Sequence, residues 1–139
     1  MEKQQENLKK ILEIRERENT FANDMGIRTK VIEDGYAETE LAVEPRHLNL
    51  NHSVHGGCLY TLADNAGGAC ASSCGYRVST LSGDLQFMRP ALNCKTLKAV
   101  AKARKTGKRI IVVDVSIKDE NQREIACGLF DYAIMKMAY

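Results

Sequence analysis

One carboxylate, Asp64, stands in the longest proline-free apolar stretch of the chain, His55 to Cys74. The stretch opens His55-Gly56-Gly57-Cys58, and a loop rich in hydrogen-bonding groups precedes it, with Arg46, His47, Asn49, Asn51, His52 and Ser53. A lone acid in such a setting serves as a base or nucleophile, or as a structural acid favoured by a helix dipole. Cys58 is a second candidate nucleophile, because thiolates are stabilised at helix starts; no dedicated base accompanies it, which favours a packing role. His47, His52, His55 and Cys58 include neither a cysteine pair nor an HExxH pattern, so no metal site is predicted. Cys70 and Cys74 read as small core residues.

The element that must hold Asp64 is a helix. Leu59, Leu62, Ala63, Ala66, Ala69 and Cys70 recur at helical spacing, and a helix from His55 to Cys74 would span about 30 Å. Gly75 follows as a stop. A second face collects Gly57, Tyr60, Asp64, Gly67, Gly68 and Ala71. Glycine inside a helix costs about 1 kcal/mol against alanine. The Gly67-Gly68 pair therefore predicts close approach by another backbone or a ligand. A dimer contact along this face would hold Asp64 at a partly dried subunit boundary. The polar loop from Pro45 to Val54, set before the helix start, reads as a site wall.

Around this helix the pattern is mostly strand. Residues 2 to about 20 form an amphipathic helix with a narrow stripe of Leu8, Ile11 and Leu12 among five acids and five bases, a solvated helix lying on the domain. Phe21 to Gly26 turns the chain. Ile27 to Val43 reads as a hairpin turning at Asp34-Gly35. A strand of alternating Leu81, Gly83, Leu85 and Phe87 against Thr80, Ser82, Asp84 and Gln86 stops at Pro90. Leu97 to Lys105, Ile111 to Lys118 and Ile125 to Met135 are three more, joined by short turns, which implies an antiparallel sheet. The fold class is α+β: five or six antiparallel strands curled around one long helix, with an extra N-terminal helix. The 139 residues predict a single domain, 1–139.

Composition excludes several classes. A net charge of +2 gives no case for nucleic-acid binding. No apolar run reaches membrane-spanning length and the N-terminus is charged, so neither a membrane span nor a signal peptide is expected. Five cysteines without CxxC pairs suit reduced thiols in a cytoplasm better than an exported disulfide framework.

Asn49, His55-Gly56-Gly57, Leu62-Ala63-Asp64-Asn65 and Phe87-Met88-Arg89-Pro90-Ala91 together resemble the hotdog-fold acyl-CoA thioesterases of the phenylacetate-degradation (PaaI-like) type. The tripeptide HGG alone is weak. Combined with an acid nine residues after its histidine and an asparagine six before it, the pattern is specific. The resemblance covers roughly residues 21 to 135. The small Gly67-Gly68-Ala69-Cys70 stretch and the Asn51-His52 turn depart from the family pattern. The resemblance implies a homodimer, paired into a homotetramer, with sites at the subunit boundary. It assigns Asp64 as general base or nucleophile and the Gly57 N–H as the group that polarises the thioester carbonyl. It also has Asn49 orient water or substrate, His55 shape the loop, and Thr80 hold the water.

This chemistry suits the residue types. Attack makes the carbonyl oxygen negative, and a helix start offers unpaired N–H groups and a positive dipole end. Burial of Asp64 at an apolar boundary would strengthen it as a base. No metal or cofactor is needed, since a thioester is already an activated acyl group; coenzyme A belongs to the substrate. Gly56, Leu59, Tyr60, Leu62, Phe87 and Arg89 are the expected substrate contacts. Arg89, Lys102, Arg104, Lys105, Lys108 and Arg109 are candidates for the coenzyme A phosphates, or a solvated strand edge. Two other readings remain open: a hotdog dehydratase or hydratase acting on acyl thioesters, and a non-catalytic acyl-CoA binding module.

Overall fold

The computed structural model describes residues 1–139. In chain order it holds α1 (Glu2–Glu18), α2 (Thr20–Asp24), β1 (Ile27–Glu33), β2 (Tyr36–Ala42), a single 3-10 turn at Pro45–His47, α3 (Gly56–Ser72), β3 (Tyr76–Phe87), β4 (Thr96–Thr106), β5 (Ile110–Asp119) and β6 (Glu124–Ala138). The six strands form one antiparallel sheet in the order β1-β2-β4-β5-β6-β3. This is the sheet-around-helix arrangement expected.

The core follows from period-2 burial against one apolar helix face. Ala37 and Leu41 on β2, Leu97, Ala99 and Ala101 on β4, and Ile111, Val113, Val115 and Ile117 on β5 are all buried. They pack under Leu59, Leu62, Ala63, Ala66, Ala69 and Cys70 of α3. Alanines on β2 and β4 let the helix settle close to the sheet, where Thr39 Oγ1 donates to the Leu62 carbonyl at 3.3 Å. Fully burying a leucine-sized side chain is worth about 1.5–3 kcal/mol, so this interface dominates the stability of the fold.

Four boundaries differ from the sequence reading, each for a local reason. α3 ends at Ser72, before Cys74, because the last amides tighten onto carbonyls three residues back and Gly75 adopts φ +97°. Phe21 to Gly26 is mostly the short helix α2 rather than a bare turn. β3 begins at Tyr76, ahead of the alternating stretch, and β6 runs on past Met135, because the two tails pair from Tyr76↔Ala138 onward. On α1 the buried residues are Ile11 and Ile14, so the apolar stripe extends two residues beyond Leu12.

β3 is an edge strand, and its register slips between Thr80 and Ser82. The slip makes Leu81 a bulge residue. Strict alternation would turn Leu81 inward with Gly83 and Leu85. The bulge instead leaves Leu81 exposed and turns Thr80 towards α3.

Candidate active site

Asp64 lies half-buried on α3 and is held by two hydroxyls. Its Oδ1 accepts from Thr80 Oγ1 at 2.8 Å and from Tyr132 Oη at 3.1 Å. The same Tyr132 hydroxyl lies 3.1 Å from the Asp64 main-chain carbonyl oxygen. The second carboxylate oxygen, Oδ2, makes no hydrogen bond. Thr80 reaches this point because of the Leu81 bulge. Tyr132 reaches it through a notch in α3: a Cβ on Gly67 would stand 2.1 Å from the Tyr132 hydroxyl oxygen. Burial pushes the Tyr132 phenol far above its usual range, and the nearby Asp64 carboxylate adds to this while Arg15 opposes it. Tyr132 is therefore a permanently protonated donor at neutral pH.

Gly68 has its own occupant. A Cβ there would sit 3.2 Å from Arg15 Nη2. The paired glycines thus accommodate two side chains, from β6 and α1. The close approach predicted at this pair comes from within the chain rather than from a ligand or another backbone.

The helix start forms a second cluster. His55 is the N-cap, and its Nδ1 accepts from the Gly57 N–H at 2.8 Å. The Gly57 N–H expected to be unpartnered is therefore engaged by a neutral ring nitrogen, with the imidazole proton on Nε2. Phe87, at the end of β3, lies against this start: a Cβ on Gly56 would meet its ring at 3.5 Å. Asn49 organises the preceding loop, accepting from the Asn51 and Ser53 N–H groups at 2.9 and 3.2 Å and donating to Ser53 Oγ at 3.0 Å. Its amide oxygen and one amide N–H are thus engaged within the loop. His47 is buried, its Nδ1 accepting from the Glu44 N–H at 2.9 Å and its Nε2 facing the Met25 carbonyl at 2.7 Å.

Several expected contacts move. Leu59 and Leu62 are buried on the core-facing side of α3. Tyr60 turns into the layer between helix and sheet, its hydroxyl donating to the Gly83 carbonyl at 3.2 Å and its ring 5.2 Å from that of Phe130. Arg89 is exposed just beyond β3. Arg104 is tied to Asp114 by two hydrogen bonds of 2.9 and 3.1 Å. Burial pushes the Cys58 thiol up despite Arg46, which supports a packing role for it.

A hollow of about 610 Å³ opens beside Asp64, between α1, α2, α3, β3 and β6; Thr80, Tyr132, Arg15, Arg77 and Tyr139 share its wall. A larger hollow of about 760 Å³ lies among Glu38, Lys98, Lys102 and Asp114. On its wall Lys98 lies 3.1 Å from Glu38, and Asp114 is held by Arg104 at 2.9 Å, while Lys102 and Lys118 form no ion pair. The hollow beside Asp64 is the better site, because its carboxylate is half-buried and fixed at one oxygen by two hydroxyls.

The structure thus brings Asp64 and Thr80 together and separately joins His55, Gly57, Gly56 and Phe87. Within one chain the two clusters stay apart. Gly57 and Asp64 are seven residues apart on one helix, or about 10 Å. Tyr132 and Arg15 were not singled out from the sequence. The Gly67-Gly68 pair was their only trace.

Comparison with known proteins agrees with this architecture. The profile of the thioesterase superfamily matches residues 51–126. The acyl-coenzyme A thioesterase PaaI of Escherichia coli K12 is 32% identical over 105 residues, spanning 76% of this chain and 75% of that one. The solved structure of the E. coli PaaI protein from the phenylacetic acid degradation operon superposes with a TM-score of 0.91 at 26% identity, covering 96% of both chains. A Streptococcus mutans protein solved with bound acetyl CoA shares the fold, with a TM-score of 0.77 at 23% identity over 81% of this chain and 91% of its own.

Proposed function

Since the chain belongs to the thioesterase superfamily and has the hotdog fold, we propose that it hydrolyses an acyl-coenzyme A thioester to the free acid and coenzyme A. The single observation that carries this reading is the Asp64 carboxylate, fixed at Oδ1 by Thr80 and Tyr132 and open at Oδ2 beside a hollow. With Oδ1 held, Oδ2 is the atom that meets the reaction. As a base it takes a proton from water while the water oxygen bonds to the carbonyl carbon. The tetrahedral adduct then collapses, the C–S bond breaks, and the thiolate sulfur recovers a proton. As a nucleophile Oδ2 would bond to the carbon itself and water would release the acid afterwards. A single turnover in ¹⁸O-labelled water identifies the nucleophile when water opens the mixed anhydride at the Asp64 carbon, because the label then enters Asp64 and is missing from the first acid formed. The reaction calls for no metal and no cofactor, since the thioester is already activated.

The carbonyl oxygen needs donors, and the Gly57 N–H is the group proposed. It now rests on a neutral imidazole. An oxygen gaining negative charge is a stronger acceptor and would take that N–H in exchange.

The separation along α3 requires that the two clusters come from different chains. The edge strand supports a way to do this. Thr80, which touches Asp64, and Phe87, which touches the helix start, are seven residues apart on β3. Pairing of β3 with a second β3 about a two-fold axis between these positions would set Thr80 of one chain opposite Phe87 of the other. Asp64 would then face the start of the partner's α3. The same contact would cover a twelve-residue unpaired edge with Leu81 exposed on it. The proposed species is this dimer, or two of them joined as a tetramer.

The test is thiol release from a panel of aryl, short and long acyl-CoAs. Asp64→Asn should abolish release while leaving circular dichroism and Tm close to those of the unmodified chain. Full turnover by that variant would refute the reading.

A further inference from the structure

We propose that the hollow beside Asp64 is built for an acyl group that carries its own carboxylate, and that Arg15 and Arg77 are the groups that recognise it. This rests on the thioesterase reading and adds the substrate class.

Arg15 reaches from α1 across to α3, and every partner it finds is neutral and distant. Its Nη1 lies 3.3 Å from Ser72 Oγ and 3.4 Å from Tyr139 Oη. Its Nη2 lies 3.4 Å from the Asn65 carbonyl and 3.5 Å from Asn65 Oδ1. Its Nε is buried with no partner at all. Arg77 stacks over the Tyr139 ring at 4.9 Å. Neither arginine takes part in any of the chain's ion pairs. The acids on the same hollow are Asp64, held by two hydroxyls, and Glu18, which pairs with Arg17 at 3.4 Å. Two cations thus share one wall with no carboxylate in ion-pair contact with either, and a part-buried guanidinium without an anion against it is costly. A carboxylate matches its planar fork.

Position decides which anion this is. Gly68, against which Arg15 rests, is one helical turn beyond Asp64, about 6 Å along α3. An acyl chain whose carbonyl sits at Asp64 covers that distance in roughly four to five bonds. The phosphates of coenzyme A lie on the other side of the sulfur, beyond the whole pantetheine arm. Ile14, Ala22, Val78 and Met135 provide apolar wall for the intervening methylenes. The fit is a short dicarboxylic acid esterified at one end.

The experiment compares glutaryl-CoA with pentanoyl-CoA, which have the same chain length with and without the terminal carboxylate. The same pair is also tested as N-acetylcysteamine thioesters, which lack every phosphate. The expected result is kcat/KM at least about tenfold higher for glutaryl than for pentanoyl on both carriers. Arg15→Gln should erase most of that ratio through KM, and Arg15→Lys should keep part of it. If the α1 variants fail to fold, Arg77→Leu should lower the same ratio. Equal use of both acyl groups by the unmodified chain would overturn the inference and leave the thioesterase reading intact. A preference that vanishes on the truncated carrier would assign the arginines to the coenzyme and overturn it too. Thiol release from neither carrier nor any acyl group would remove the thioesterase reading, and this inference with it.

Discussion

If the reacting groups come from two chains, two dead variants should restore one another. Asp64→Asn removes the base, and Gly57→Pro removes the N–H proposed to meet the carbonyl oxygen. On one helix these groups lie about 10 Å apart, whereas reacting atoms must approach to about 3–3.5 Å. A chain carrying Asp64→Asn still has a good helix start, and a chain carrying Gly57→Pro still has a good carboxylate. In a mixed dimer one site combines both defects, and the other combines both intact halves. Random assembly of equal amounts gives about half mixed dimers, each with one good site of two, so the pool should recover about a quarter of the unmodified activity per chain.

The assay is thiol release from co-expressed, co-purified chains, with each variant alone as control. Proline at position 57 falls in the first helical turn, where no intrahelical N–H bond is lost. A side chain there would approach His55 Nδ1 to 3.0 Å, so the histidine cap is displaced at a cost of about 1 kcal/mol. That is too little to unfold the chain, and circular dichroism of the variant checks it. A co-expressed pool no more active than the separate variants would refute the two-chain site.

Three further outcomes follow from particular contacts. Tyr132→Phe removes a hydrogen bond to a carboxylate, a contact worth about 1.5–3 kcal/mol; kcat should fall more than KM changes, and an unchanged kcat would remove Tyr132 from the positioning of Asp64. Gly67→Ala should lower Tm, because overpacking against the Tyr132 hydroxyl at about 1–3 kcal/mol outweighs a helix gain of about 1 kcal/mol; adding Tyr132→Phe should recover part of the loss. Asp119 is buried, which by itself would raise its carboxyl, but the Arg123 and Asn121 N–H groups and the Arg123 side chain outweigh this and hold it below the usual range. A lowered folded value stabilises above the unfolded value, about 3.9, and is lost as pH falls through the folded one; the Tm deficit of Asp119→Ala should be steady from about pH 7 to 5 and shrink below about 4.

What the sequence made legible was periodic. α3, the hairpin, β4 and β5 each repeat an apolar residue at 3.6 or 2 positions over several turns or pairs, and burial follows those repeats. What it hid was set by exceptions to a period. Thr80, named through the resemblance and not through its period, sits among the residues that alternation turns outward, and one bulge at Leu81 reverses it. Leu59 and Leu62 were expected in the pocket although they share the helix face of Ala63 and Ala66, and that face had to go to the sheet. Arg15 is one of five bases in a charge-laced helix, and its neighbours there give no sign that it turns inward. The Gly67-Gly68 pair did signal a close approach, but a missing side chain cannot say what fills the space.

The occupants of that space come from opposite ends of the chain. Tyr132 comes from the last strand and Arg15 from the first helix, and Asp64 lies between them in sequence. At both ends the contact depends on a glycine on one turn of α3, where alanine would meet the tyrosine at 2.1 Å and the arginine at 3.2 Å. Two glycines in a helix interior forgo about 2 kcal/mol of helix propensity. The first loss is offset by a buried phenol hydrogen-bonded to a carboxylate. The second has no equivalent return within the chain, since Arg15 meets only long contacts to neutral groups. A conformation that costs stability, and whose charge finds no counter-ion inside the fold, is best accounted for by an anion supplied from outside it.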